Sequence, residues 1–259
     1  MITIKSPREI ELMRKVGKLA ALCLKEMGKL VVIGNTPRML DAACKEWTLK
    51  HNAIPAPLNY KGFPSSLCVS VNDVVCHGIP QNDRPFQSGD IVNLDVTPIL
   101  DGYHGDTNAT FYVGDVAEPV KKLVETARES MWAGIRQVRP GNTLGDVGHA
   151  IETLVKGRGY SVVLEYCGHG IGRNFHEDPV VMHVGKPKTG VILKEGMTFT
   201  IEPMINMGGA KTVLESDGWT VRTADGSLSA QFEHTVLVTA DGVEVLTLGE
   251  GDMVPTFSG

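Results

Sequence analysis

The sequence predicts an α+β fold of two similar halves, each a helix pair followed by an antiparallel strand pair, closed around a shared acidic centre. Three observations predict it. Gly34-Asn35-Thr36 returns as Gly141-Asn142-Thr143, 107 residues further on. The same offset carries Leu40 onto Val147, Ala43 onto Ala150 and Trp47 onto Leu154, so an apolar helix face is repeated. It also carries Gly89 onto Gly196, Val92 onto Phe199, Leu94 onto Ile201 and Asp95 onto Glu202, which sets a carboxylate on a carboxylate.

Ser6-Pro7-Arg8-Glu9 is a capping box with proline at the first helical position. Ile10, Met13, Gly17, Ala20, Leu24 and Met27 follow at helical spacing, so a long amphipathic helix should end near Lys29. Thr36 then caps a second helix whose inner face is Leu40, Ala43 and Trp47. Ile91 to Thr97 reads as a buried strand and residues 103–113 as its partner, with Asp101-Gly102 as the tight turn. Val120, Val124, Ala127, Met131 and Ile135 mark a third helix from Glu118 to Val138, and the repeated tripeptide starts a fourth. The second strand pair is Met197 to Glu202, halted by Pro203, with residues 230–239 carrying Glu233. Residues 249–259 read as a tail without an element of its own. The expectation is one domain over 1–259, with halves of about 1–113 and 114–248.

At 259 residues and 42% hydrophobic content the chain can bury a large core. A net charge of −5 argues against a grip on nucleic acid. No apolar run approaches the roughly 18 residues of a membrane span, and the start lacks the basic-then-apolar order of a signal peptide. The expected setting is cytoplasmic. Five scattered cysteines without a C-x-x-C pair fit reduced thiols.

If Leu100 pairs with Tyr103, parity puts Asp95 and Asp106 on one face, about a diagonal step apart. The alternative is a pair of solvated turn residues beside Gly102 and Gly105. The repeat favours the first reading, because Glu202 and Glu233 form a matching pair, Glu233 taking the place of Asp106 once some twenty extra residues are allowed in the second connection. Four converging carboxylates cannot all stay ionised in a low-dielectric cleft, whereas two divalent ions bring their formal charge to zero. Such a centre generates hydroxide from water near neutral pH and polarises a carbonyl, which is equipment for hydrolysis.

His169, between Gly168 and Gly170, is the best imidazole ligand, since glycine on both sides lets the backbone bring the ring close. His77 and His176 also lie in loop-like sequence. His51, His149 and His183 read as hydrogen-bonded surface residues, and His104 and His234 as supports for neighbouring ligands or strand fillers. Other signatures fail. His176-Glu177 lacks the second histidine of H-E-x-x-H, Arg173 replaces the last glycine of G-x-G-x-x-G, Ala210 spoils a phosphate loop, and no G-x-S-x-G occurs.

With Asp95, Asp106, His169, Glu202 and Glu233 in this order, the chain resembles the short type I methionine aminopeptidases, which have the pita-bread fold. The blocks Asn59 to Asn72, Val75 to Pro80 and Tyr166 to Gly172 strengthen the resemblance, which runs from about Ile4 to Leu248. It implies removal of the initiator methionine from nascent chains with a small second residue, through a metal-bridging hydroxide. It further implies that Asp95 chelates one of two divalent ions (cobalt, manganese, iron or zinc), that Asp106 and Glu233 bridge both, and that His169 and Glu202 complete the set. Glu202 would relay the proton, His176 would bond the scissile carbonyl oxygen, and His77 would contact the peptide amide. Tyr60, Phe63, Cys68, Phe175 and Trp219 would enclose the methionine side chain, aromatic faces and edges suiting a polarizable thioether. Phe63 stands where many relatives have tyrosine, and Pro57 where some have cysteine. The partners implied are nascent polypeptide N-termini beginning with Met, near the ribosome, with the enzyme a monomer that binds neither nucleic acid nor membrane. The rival readings are a proline-directed peptidase of the same fold and a non-catalytic pita-bread binding protein; the five intact ligands oppose the latter.

Overall fold

The computed structural model describes residues 1–249, 251 and 254; the tail expected over 249–259 therefore falls mostly outside the described residues. Four helices form where the sequence places them. In α1 (Pro7–Gly28) the Glu9 amide donates to Ser6 Oγ while Ser6 N donates to Glu9 Oε2, and Lys29 caps the end. Thr36 Oγ1 accepts from Met39 N at the start of α2 (Pro37–Lys50). α3 spans Glu118–Ile135, three residues short of the expected end, and α4 spans Leu144–Gly157 behind a capping box of Thr143 and Asp146. α2 and α4 have the same length and start at residues separated by the repeat offset.

The main sheet has eight strands: β1 (Cys68–Val71), β2 (Ile91–Val96), β3 (Thr107–Tyr112), β4 (Gly168–Gly170), β5 (Glu177–Val181), β6 (Thr198–Ile201), β7 (Glu233–Val238) and β8 (Val243–Val245). The order is β5-β4-β6-β7-β3-β2-β1, with β8 also on β7. Each helix pair covers its own side. Met27, Leu40 and Cys44 pack with Val92, Leu94 and Val96, whereas Leu123, Val147 and Ile151 pack with Phe199, Ile201 and Val236. Fully burying each large apolar side chain is worth about 1.5–3 kcal/mol. Because strand side chains alternate, Asn93 and Asp95 then face away from the helices. The apolar stripe thus aims the acidic one.

The expected strand over 103–113 is interrupted at Gly105-Asp106. Tyr103–His104 pairs with Pro98–Leu100, and β3 starts afresh at Thr107. Gly105 is pressed onto α1, where a Cβ would lie 2.6 Å from the Val16 carbonyl oxygen. The register nevertheless runs through the break: Leu100 opposes Tyr103, Val96 opposes Thr107 and Asp95 opposes Asn108, which leaves Asp106 one diagonal step from Asp95.

In the second half the residue 230–239 strand is likewise split, at Phe232, into Ser229–Gln231 and β7. Ile201 opposes His234 and, beyond Pro203, Met204 opposes Gln231, so Glu202 stands directly across from Glu233. That corrects one expectation. Asp95 opposes Asn108 as Glu202 opposes Glu233, so Glu233 occupies the register position of Asn108, and Gln231 that of Asp106. Glu233 and Asn108 also pair with each other across the seam between β7 and β3.

Candidate functional site

Every residue singled out as a ligand, catalyst or pocket wall lines one cavity of about 310 Å³: Asp95, Asp106, His169, Glu202, Glu233, His77, His176, Tyr60, Phe63, Cys68, Phe175 and Trp219. The carboxylates rise from β2, from the Gly105-Asp106 break, from the end of β6 and from the start of β7. Asp106 and Glu233 are almost wholly buried.

His169 reaches them because its neighbours have no side chains. A Cβ at Gly168 would meet the Thr200 carbonyl, and one at Gly170 the Asp178 carbonyl, so β4 can wedge between β5 and β6. His169 Nδ1 lies 3.0 Å from the Gly170 carbonyl, which takes its hydrogen and turns Nε2 towards the acids. Nε2 is 3.5 Å from Asp106 Oδ2 and 3.6 Å from Glu202 Oε1. Asp106, His169 and Glu233 each place a donor atom within 4.8 Å of the others.

Neutral donors hold one edge of the cluster. Thr97 Oγ1 donates to Asp106 Oδ1 at 2.7 Å, Thr200 Oγ1 to Glu202 Oε1 at 2.7 Å, and Asn108 Nδ2 to Glu233 Oε2 at 2.9 Å. The opposite edge is bare: Asp95 Oδ1 and Glu233 Oε1 are buried with no hydrogen-bond partner. Unpartnered buried carboxylate oxygens in one cavity with an imidazole are what divalent cations require, so the donor set fits a metal centre.

Without an ion the cluster resists ionisation. Burial, then the charges of Asp106 and Glu202, holds Asp95 well above the usual carboxylate range; burial, Asp106 and Glu202 do the same to Glu233. Burial lifts Glu202 to about 7 against the pull of His169. Burial alone would lower His169, but its contact with Asp106 and the charge of Glu202 outweigh it and raise the ring to about 8.

These shifts set a pH trend for metal-free protein. Groups raised in the folded state contribute stability while protonated and lose it as pH rises through their folded values. His77, His104, His176 and His183 are held below 6.5 and act only beneath that pH. Between pH 6.5 and 8, Asp95, Glu233 and His169 therefore all work in one direction, and Glu202 adds to it up to about pH 7. The unfolding free energy of chelator-stripped protein is expected to fall across that interval, by about 1.4 kcal/mol per pH unit for each proton involved, and its Tm with it, whereas a saturating divalent cation should flatten the trend. A rising Tm over the same interval would contradict it.

Around the acids stand the remaining groups. His176 Nδ1 is 2.9 Å from Tyr60 Oη and its ring lies 4.1 Å from that of His169; burial and the His169 charge push it down to about 4. His77 has φ 54°, a left-handed backbone uncommon for a non-glycine residue. Its ring meets Trp219 edge-on, as does that of Phe63. Asp217 Oδ1 accepts from the amides of Trp219 and Thr220, which fixes the Trp219 loop.

Of the histidines set aside, His51 and His149 are exposed as expected. His183 is not a surface residue: it is 1% exposed, and its Nε2 accepts from the Glu202 amide at 3.1 Å. Burial pushes it down to about 3, so it serves as a neutral acceptor. It sits on the turn that follows β5, a turn α4 covers, and nothing local in sequence signals that burial. His104 Nδ1 contacts the Gly172 carbonyl behind Phe175, and His234 Nδ1 contacts Thr247 Oγ1. Sequence reasoning also passed over Thr97, Thr200, Asn108 and Gln231; the usable signal was a polar residue at an inward strand position.

The model of metallopeptidase family M24 matches residues 11–240. Methionine aminopeptidase A of Synechocystis is 52% identical over 249 residues, 96% of this chain and 98% of that one. The methionine aminopeptidase of Escherichia coli K12 is 48% identical over 257 residues, 99% of this chain and 97% of the other. The crystal structure of the Rickettsia prowazekii methionine aminopeptidase superposes with a TM-score of 0.94 at 54% identity, covering 96% of this chain and all of that one. Among the described residues no helix is long and apolar enough to cross a membrane.

Proposed function

From the premise that the chain belongs to metallopeptidase family M24, with methionine aminopeptidases about half identical over nearly its full length, we infer that it is a metal-dependent methionine aminopeptidase and propose which residues do the work. It removes the initiator methionine from proteins with a small second residue. The observation that carries this reading is the pair of buried, unpartnered oxygens on Asp95 and Glu233, in a cavity that also holds His169 and an aromatic pocket.

Asp95, Asp106, His169, Glu202 and Glu233 hold two divalent ions in this reading. When bound, the ions supply Lewis acidity and make water acidic enough to attack near neutral pH. Glu202 takes the proton from the attacking water and passes it to the departing amine, Thr200 and Gln231 keeping its carboxylate in place. With Tyr60 O–H donating to Nδ1, the hydrogen of neutral His176 sits on Nε2, free to bond the oxyanion as the carbonyl becomes tetrahedral. His77 orients the peptide amide. Tyr60, Phe63, Cys68, Phe175 and Trp219 receive the methionine thioether.

The two halves, about 1–113 and 114–248, act as one catalytic domain, because each contributes carboxylates to the same centre. Five free cysteines support the cytoplasmic setting, and the likeness to methionine aminopeptidases supports a monomer that meets chains emerging from the ribosome. The decisive assay compares Met-Ala-Ser with Ala-Pro-Ala. Exhaustively chelated protein is expected to leave Met-Ala-Ser uncut and to recover on adding cobalt(II) or manganese(II), while Ala-Pro-Ala stays uncut throughout. Undiminished turnover after chelation would overturn the metallopeptidase reading, and preferential cleavage of Ala-Pro-Ala would favour the proline-directed one.

A further inference from the structure

Pro203 breaks the second half of the sheet two residues after the end of β6, so the peptide of Glu202 sits at a frayed strand end. Its counterpart Asp95 has no such problem, being flanked by Cys68 on β1 and Asn108 on β3. β4 stops at Gly168, short of the position that would face Glu202. Two side chains occupy the gap. His183 Nε2 accepts from the Glu202 amide at 3.1 Å, and Gln231 Nε2 donates to the Glu202 carbonyl at 3.1 Å and to Oε2 at 3.3 Å.

The fold places His183 there at some cost. α4 packs so closely on its turn that a Cβ at Gly148 would collide with the Val184 carbonyl. The second ring nitrogen, Nδ1, is buried without a partner, and an unsatisfied buried polar group destabilises the fold. An apolar side chain of similar volume would fill the space without that penalty. What the imidazole adds is the bond it accepts.

We propose that His183 is a positioning residue for Glu202: with Gln231 it clamps the Glu202 peptide at the Pro203 break and thereby fixes where the carboxylate points. The proposal rests on Glu202 being a metal ligand and proton carrier, as inferred above. His183 touches neither substrate nor reacting atoms, so it acts only through Glu202.

The test compares His183→Leu and His183→Gln in the full chain. Leucine removes the acceptor, whereas a glutamine side-chain oxygen can reach the same amide. Three quantities are measured: cobalt(II) affinity of chelator-stripped protein by calorimetry, kcat and KM on Met-Ala-Ser, and hydrogen exchange of the Glu202 amide. His183→Leu is expected to weaken cobalt binding and lower kcat by about 10- to 100-fold each, the usual loss when a group supporting a metal ligand is removed, with KM little changed and amide exchange faster. His183→Gln should restore all three towards the parent. Parental affinity and kcat in His183→Leu, or a glutamine variant no better than leucine, would overturn the proposal. Should the leucine variant fail to fold, His183→Gln decides alone: a protected Glu202 amide with near-parental kcat supports the clamp, and a tenfold loss in a folded protein refutes it. Glu202→Gln run in parallel separates the two readings, since retained kcat there would remove the proton-carrier assignment while leaving the effect of His183 on cobalt affinity intact.

Discussion

Glu202→Gln is expected to lower kcat on Met-Ala-Ser by about 10²- to 10⁴-fold at saturating metal, the range that a positioned general base contributes. The substitution is close to isosteric, and the amide oxygen can still accept from Thr200 Oγ1, so the packing survives with one hydrogen bond fewer, that from Gln231 Nε2. What it loses is a site for a proton. Glu202 differs from Asp95 and Glu233 in having neutral donors, Thr200 and Gln231, on its two carboxylate oxygens, which hold it in one orientation. The substitution also removes one negative charge from the ligand set, so cobalt affinity should fall as well. Titrating the metal to saturation separates the two effects. If kcat returns to within tenfold of the parent once the metal is saturating, Glu202 only holds the ions and the proton is carried elsewhere.

Much of this site was legible because it depends on local periodicity. The capping box at Ser6, the Asp101-Gly102 turn and the alternation through Ile91 to Val96 are short-range signals, and parity within the hairpin brought Asp95 and Asp106 to one face. The offset that maps Asp95 onto Glu202 worked because it stays constant from α2 to β6. It misled for Glu233, because the second connection is longer and its length alone does not fix register. Only the observed pairing of Met204 with Gln231 aligns Glu233 with Asn108 rather than with Asp106.

The less legible part is the polar shell. Thr97, Thr200, Asn108 and Gln231 are ordinary strand residues in sequence, and they acquire a role only when strands from distant parts of the chain meet. Asn93 shows how closely they meet: its Nδ2 donates to Asn108 Oδ1 at 3.0 Å and to the Gln231 carbonyl at 2.9 Å, joining three strands in one network. His183 was misread for the same reason, since its burial comes from α4 folding over a turn some thirty residues later. Long-range burial leaves no local trace.

His176→Ala is expected to lower kcat by about 10²- to 10³-fold while leaving metal content and metal affinity unchanged, the signature of a lost oxyanion donor. The argument is positional. His176 hangs from the loop between β4 and β5, its ring against that of His169, and its Nδ1 is engaged by Tyr60 rather than by a carboxylate. A ring held near 4 is neutral at working pH, so it contributes a hydrogen bond and not a charge, and its bond to substrate strengthens only as negative charge develops on oxygen. KM should therefore move little. Tyr60→Phe supplies an internal control: it removes the O–H that fixes the tautomer but leaves the imidazole, so it should cost less than His176→Ala and act on kcat in the same way. Loss of metal from His176→Ala would instead make His176 a ligand. A Tyr60→Phe effect confined to KM would place that hydroxyl in the methionine pocket and not behind the histidine.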